Sequence, residues 1–269
     1  MSDQKPLYRT AISLAGAEDI LVRGYSLIDL VGNVNLGTMV SLLIKGELPS
    51  RAEGEMIEAI LVACAEHGVR PPSIQAARQV ASGGVQFQAC VAAGVLALGD
   101  SHGGAIEQCM QVLQEAAAGI KSGEKNAEEV AVEVLSAVRS ARRRLPGFGH
   151  PVHKIDPRTV RLFQLAEEYG IKGLHCDLAE ELTKRSKVIL GRALPLNVDG
   201  AVAALLSDMG FDWQVGKGFF ILGRTFGIVA HVYEEITRER PMAHLPPYEL
   251  LVYDGPESRP VSITSKSAK

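Results

Sequence analysis

The chain has 269 residues, 46% of them hydrophobic and 22% charged, with a formal net charge of −3. That length can bury a substantial core, and the balance excludes extended disorder and a general nucleic-acid-binding surface, which needs a sustained basic face. Four cysteines (Cys64, Cys90, Cys109 and Cys176) stand in apolar contexts without CxxC or Cys/His metal spacing, so a reducing compartment and no metal site are expected.

The N-terminus MSDQKPLYRT has no apolar h-region, and the longest apolar run, 218–232, is too short to span a bilayer and carries Arg224. A cytoplasmic location is expected. Residues 8–25 alternate weakly around a Gly-Ala-Glu-Asp turn and can form a small hairpin. Strand signals then nearly vanish. A helical pattern over 26–45 is punctuated by GELPS at 46–50. Ser50 and Glu53 form a capping box that opens a helix in which Met56, Ile57, Ile60, Leu61 and Cys64 share one face. It stops at His67-Gly68, and Pro71 and Pro72 keep it from resuming.

Residues 73–98 are rich in Ala and Gly, which predicts a densely packed interior or a subunit interface. GDSHGGA at 99–105 breaks that run with a turn, a helix follows to about 119, and KSGEKN is a polar connection. Val130, Ala131, Val134, Leu135 and Val138 mark an amphipathic helix that runs into Arg142, Arg143 and Arg144, where the helix dipole also favours cations.

Residues 142–158 read RRRLPGFGHPVHKIDPR. Gly147 and Gly149 can adopt positive φ and leave no Cβ in the way, so this turn is suited to bring backbone close to a ligand. His150 follows the turn and can pass a proton near neutral pH, and the surrounding cations suit a polyanion. A helix C-cap followed by a solvated basic loop fits the same letters. Helical patterns return over 159–169 and 177–190, LPLNVDG interrupts at 194–200, and helix resumes over 201–209 and 216–238. Pro241, Pro246 and Pro247 end regular structure, leaving a frayed tail. The chain reads as all-α.

His67, His150 and Asp199 all fall where helices are expected to stop, so their polar ends can converge on one cavity, although capping is the commoner use of such residues. Arg224 within FFILGRTFGIV is costly to bury without a carboxylate, which comes either from the protein or from a substrate. His231 and Arg238 share its face, as functional groups or as an exposed stripe.

GFGHPVHKIDPR resembles the GxGHxVxKxxDPR signature of citrate synthases. AEHG at 65–68 resembles that family's first catalytic histidine segment, DSHGGA its AHGGAN-type turn, and NVDG its segment with the catalytic aspartate. LVRGYSLIDL, GELPS and GRTFGIVAHVYEE also resemble family elements, in family order from about residue 20 to 245. The chain departs from the family in its brevity, in lacking most of the segment between GELP and AEHG, and in a tighter His150–Arg158 spacing. No counterpart of a further oxaloacetate-binding histidine is found in that missing region. The brevity and the run NVDGAVAALL are similar to citryl-CoA lyases and to the C-terminal module of ATP-citrate lyase.

The resemblance implies a citrate-synthase-like multi-helix fold of a large and a small helical domain, with a short N-terminal β-hairpin. Residues 1–140 would begin the large domain, 141–215 form the small one and 216–269 return to the large one. It implies cleavage of citryl-CoA to acetyl-CoA and oxaloacetate, with His67, His150 and Asp199 as catalytic residues. Arg158, Arg224 and Arg240 would bind oxaloacetate carboxylates, Arg240 across a homodimer interface. Leu145, Pro146, Gly147, Phe148 and Gly149 would wrap coenzyme A through their backbone, with Lys154 and Arg144 on phosphates. Coenzyme A enters as part of the substrate, with no tightly bound cofactor and no metal. A short citrate or 2-methylcitrate synthase, and a non-catalytic CoA- or citrate-binding subunit, are the alternatives.

Overall fold

A computed structural model describes residues 8–149 and 156–261. The expected hairpin is present as β1 (Ser13–Ala15) and β2 (Ile20–Val22), antiparallel with Ser13 opposite Val22, and a third short strand, β3 (Tyr25–Ser26), extends it. The two-residue link between β2 and β3 is Arg23-Gly24, both at positive φ, the backbone that a tight antiparallel connection requires. Arg23 then donates from Nε and Nη2 to the carbonyl of Leu43, fixing the sheet to the first long helix.

The remainder is helical. After a single turn, α1 (Leu27–Leu30), comes α2 (Leu36–Lys45), capped by the Asn35 side chain and closed by Gly46 in the left-handed conformation. In α3 (Arg51–Ala65) the Ser50/Glu53 capping box is formed in both directions, and Met56, Ile57, Ile60, Leu61 and Cys64 are buried as their spacing requires. The helix does not resume through Pro71 and Pro72, as expected, and the prolines have a second role. They start α4 (Pro72–Ser82), because proline at the first helical position loses an N–H that would have no intrahelical partner. The Ala/Gly-rich stretch is therefore two helices, α4 and α5 (Phe87–Leu96), packed on one another.

The next pair is α6 (Ala105–Lys121) and α7 (Ala127–Ser140), the latter opened by a second capping box from Asn126 and Glu129. Beyond the turn at 145–149 lie α8 (Pro157–Glu168), α9 (Leu174–Leu190), α10 (Val198–Asp208) and α11 (Gly216–Arg238). In α10 every residue from Gly200 to Ser207 is buried, with α6, α9 and α8 packed around it. Asp208, at its end, caps α9 from across the core, accepting the backbone N–H groups of Gly173, His175 and Cys176 and the His175 ring.

By length and composition α11 is apolar enough to cross a membrane. Here it packs on α3, α4, α5 and α6, so Phe219, Phe220, Ile228 and Val232 are core residues. The largest core cluster runs from Val40 through Leu145 and Leu205 to Phe220, drawing on α3, α6, α7, α9, α10 and α11 together.

Candidate active site

One cavity of about 380 Å³ opens where the ends of several of these elements meet. It falls within the size range of small-molecule sites. His67, His102, Asp156, Arg158, Asp199 and Arg224 line it, with Phe220 and Cys64 as apolar wall.

The first wall is the junction of α3 with α11. The helix α3 ends at Ala65, and the carboxylate of Glu66 turns back on the chain to accept the N–H of Gly68. His67 stands on this turn. Arg224, only 2% exposed, donates from Nε to the carbonyl of Cys64 at 3.0 Å and lies 5.1 Å from the Phe220 ring centroid. Among the described residues no carboxylate pairs with it and its Nη1 is buried without a partner. Burial lowers its pKa, opposed chiefly by the charge of Glu66.

The second wall is the turn at 99–104, and it holds a residue that sequence reasoning passed over. His102 hydrogen-bonds through Nε2 to the Ser73 hydroxyl at 2.8 Å and packs edge-on against Phe220. Gly103, at φ +97°, lies so close that a Cβ would stand 2.8 Å from the same ring. Burial first, then Arg224 and His67, depress the pKa of His102, so it is neutral at neutral pH. If the Ser73 hydroxyl donates to Nε2, the proton of the imidazole sits on Nδ1, which has no partner among the described residues. The signal was legible: a histidine between helices followed by two glycines is the same kind of pattern that singled out His150.

The third wall joins two connections. Gly149 N–H donates to the carbonyl of Pro195, and Asn197 donates from its backbone to the carbonyl of Gly147 and from its side chain to that of Gly149. Both glycines have positive φ, as expected, but Leu145 and Gly147 are buried in the protein body. The backbone groups of Gly147 and Gly149 expected to face a ligand are thus largely engaged with 195–197. Asp199 stands in the first turn of α10, not in the break before it, because Asn197 caps that helix two residues earlier. Burial raises the Asp199 carboxyl above its ordinary pKa, the Arg158 charge opposing this and Asp156 adding to it.

Asp156 closes the ring. It is 1% exposed, caps α8, receives Arg158 through Nε and Nη2, and accepts the N–H of Val198 at the start of α10. Burial works against its charge, but the Arg158 hydrogen bonds outweigh it and hold the carboxyl below the usual range.

The structure therefore brings His67, Asp199, Arg158, Arg224 and Gly149 to one cavity. His150 and Lys154 lie outside the described residues. Arg144 and Arg240 are exposed and do not line the cavity, and Pro146 and Phe148 are half-buried beside it in sequence. His231 pairs with Glu66 at 3.1 Å, and Arg238 pairs with Glu234, so neither lines the cavity.

Comparison with known proteins supplies the remaining finding. The sequence profile of the family described as citrate synthase, C-terminal domain, matches residues 51–244. Citrate synthase of Helicobacter pylori (strain J99) is 31% identical over 194 residues, which is 68% of this chain and 44% of that protein. The chain spans about half the length of the first curated relatives it matches. The structure of citryl-CoA lyase from Hydrogenobacter thermophilus superposes with a TM-score of 0.88 at 42% identity, covering 96% of this chain and 98% of that one. The ATP citrate lyase of Methanosaeta concilii, in complex with (3S)-citryl-CoA, shares the fold at a TM-score of 0.79 and 21% identity, over 95% of this chain and 43% of that one.

Proposed function

The chain belongs to the citrate synthase family, and from that premise we propose that it cleaves (3S)-citryl-CoA reversibly to acetyl-CoA and oxaloacetate without hydrolysing the thioester. The observation that carries this reading is Arg224, a guanidinium buried in the cavity wall with one nitrogen lacking a partner among the described residues. A buried guanidinium N–H without an acceptor is costly, and a substrate carboxylate supplies that acceptor. Likeness to a citryl-CoA lyase at 42% identity over nearly the full length of both chains favours the lyase over the synthases.

In the proposed cleavage a base, assigned to His150 from the family motif, takes the proton of the tertiary hydroxyl. The carbon–carbon bond breaks, the carbonyl of oxaloacetate forms, and the electron pair passes into the thioester as an enolate. Asp199, whose pKa burial raises, delivers a proton to the terminal carbon and completes the acetyl group. His150 has then gained a proton and Asp199 has lost one, and exchange with solvent resets both.

The family resemblance makes His67 the first catalytic histidine, but the thioester oxygen suits His102 better. A neutral imidazole fixed by Ser73 is a preorganised donor where negative charge develops. His67, on a turn fastened to the helix that carries Arg224, suits the oxaloacetate end beside Arg158 and Arg224. Coenzyme A would meet Phe148, Pro146 and the unengaged backbone of the 145–149 turn, with Arg144 and Lys154 toward phosphates. The active form would be a homodimer. The exposed apolar residues Phe87, Leu96 and Phe226 on α5 and α11 support an interface, and Arg240, exposed just beyond α11, would reach the partner's site.

Turnover in D2O tests the reading. Each acetyl-CoA should carry one deuterium in its methyl group, and Asp199→Asn should abolish its formation. Release of free CoA would favour the second reading, a synthase that hydrolyses the thioester, which the names of the curated relatives support.

A further inference from the structure

Three successive residues at the end of α3 are lashed to one face of α11. The carbonyl of Cys64 receives Arg224 Nε at 3.0 Å. The carbonyl of Ala65 lies so near Gly227 that a Cβ there would stand 2.2 Å from it and 2.6 Å from Glu66 Oε2. The carboxylate of Glu66 pairs with His231 Nε2 at 3.1 Å. Arg224, Gly227 and His231 are spaced i, i+3, i+7, the period that places side chains in line along a helix.

Glu66 does more than meet α11. One carboxylate oxygen accepts the Gly68 N–H, and the His67 N–H also bonds to this side chain. The backbone on both sides of the His67 α-carbon is thus held by the carboxylate that His231 holds. His231 has 13% of its side chain exposed and Glu66 has 48%, so the link runs from the protein interior outward to the turn.

We infer that Glu66 and His231 form a clamp that sets the His67 turn in register with Arg224, making both positioning residues for the carboxylate end of the substrate. The inference rests on the carboxylate-binding reading of this cavity. Neither side chain lines the cavity itself. They act through His67, whose direction depends on the turn, and through the fixed distance from that turn to α11. A displacement of about 1 Å at a binding group is enough to cost a large factor in affinity or rate.

The test uses the full chain with Glu66→Ala, His231→Ala, His231→Gln and the Glu66→Ala/His231→Ala double variant. The first readout needs no ligand: hydrogen exchange at the Gly68 amide should speed up about tenfold in each alanine variant, as expected when a charge-assisted hydrogen bond is lost. The second is inhibition of citryl-CoA cleavage by each product. Oxaloacetate should bind about tenfold more weakly in the alanine variants, and acetyl-CoA within about twofold of normal. The double variant should be no worse than either single one, because the two residues act as a unit. His231→Gln, which keeps a donor toward Glu66, should recover most of both effects. Unchanged Gly68 exchange, additive single effects, or equal weakening of both products would overturn the clamp. If the unaltered chain does not cleave citryl-CoA, the lyase reading fails separately. Gly68 exchange and direct titration with oxaloacetate then decide the clamp.

Discussion

The carbonyl oxygen of Gly147 lies 2.2 Å from where a Cβ would stand on Gly200. The turn that follows α7 and the first turn of α10 meet backbone to backbone, and Asp199 is the residue next to that contact. The close approach is possible only with glycine on both sides, since a Cβ at Gly147 would in turn meet Gly200 Cα at 2.7 Å.

Gly200→Ala should therefore destabilise the protein by about 1–3 kcal/mol, the usual cost of overpacking a close contact. It should also lower activity by displacing Asp199. Urea unfolding and the cleavage rate check this. A variant with full stability and full rate would mean the two segments separate freely.

Asp199→Asn should abolish cleavage, with a loss on the order of 10²-fold or more, while the fold persists. Stability moves the other way. The Asp199 pKa is raised above 3.8 in the folded protein, so the native state keeps a proton that the unfolded chain gives up. Stability of the unaltered protein falls as pH climbs from 3.8 to the raised value, and stays lower above it. The asparagine variant should be more stable above that window and equal below it, as thermal melts across pH will show.

His102→Ala should lower kcat by about 10²-fold if it stabilises the developing enolate. Ser73→Ala should have a smaller effect in the same direction, because it removes only the group that fixes the ring. The neutral form is the active one and its pKa is lowered, so the His102 contribution to the rate should persist below the ordinary histidine value of 6.5 and fall only at more acid pH. An acid limb above 6.5 that disappears in the His102 variant would contradict this.

Asp208→Ala removes the acceptor for three backbone N–H groups and the His175 ring, and should cost about 3 kcal/mol with no direct effect on the cavity. Burial opposes the Asp208 charge, but these hydrogen bonds outweigh it and lower its pKa below 3.8. Its contribution is therefore complete above 3.8 and is lost as pH falls from there through the lowered value. Denaturation at neutral and acid pH tests both statements.

Local chemistry made much of the fold readable. The Ser50/Glu53 box, the buried stripe of α3 and the break at 194–197 follow from neighbours within one or two helical turns. What was missed depends on residues far apart in sequence. Asp208 reads as an ordinary last residue of a helix until α9 is placed over it, more than thirty positions earlier. His102 becomes an oriented donor only through Ser73 and Phe220, and Gly147 approaches α10 closely only because Gly200 lacks a side chain. Pro71 and Pro72 forbid a helix interior, which keeps α3 from resuming, and equally permit a helix start, which only the placement of α4 shows. Of the candidate site, the grouping of His67, Asp199, Arg158 and Arg224 was legible from motif order. The carboxylate partners that hold them, Glu66 and Asp156, were not.

The central claim is carbon–carbon cleavage with the thioester intact. Purified protein incubated with (3S)-citryl-CoA should yield oxaloacetate, followed through malate dehydrogenase, in equal amount to acetyl-CoA, with no free thiol detected by a disulfide reagent. Release of thiol in step with substrate loss, or absence of oxaloacetate altogether, would contradict it.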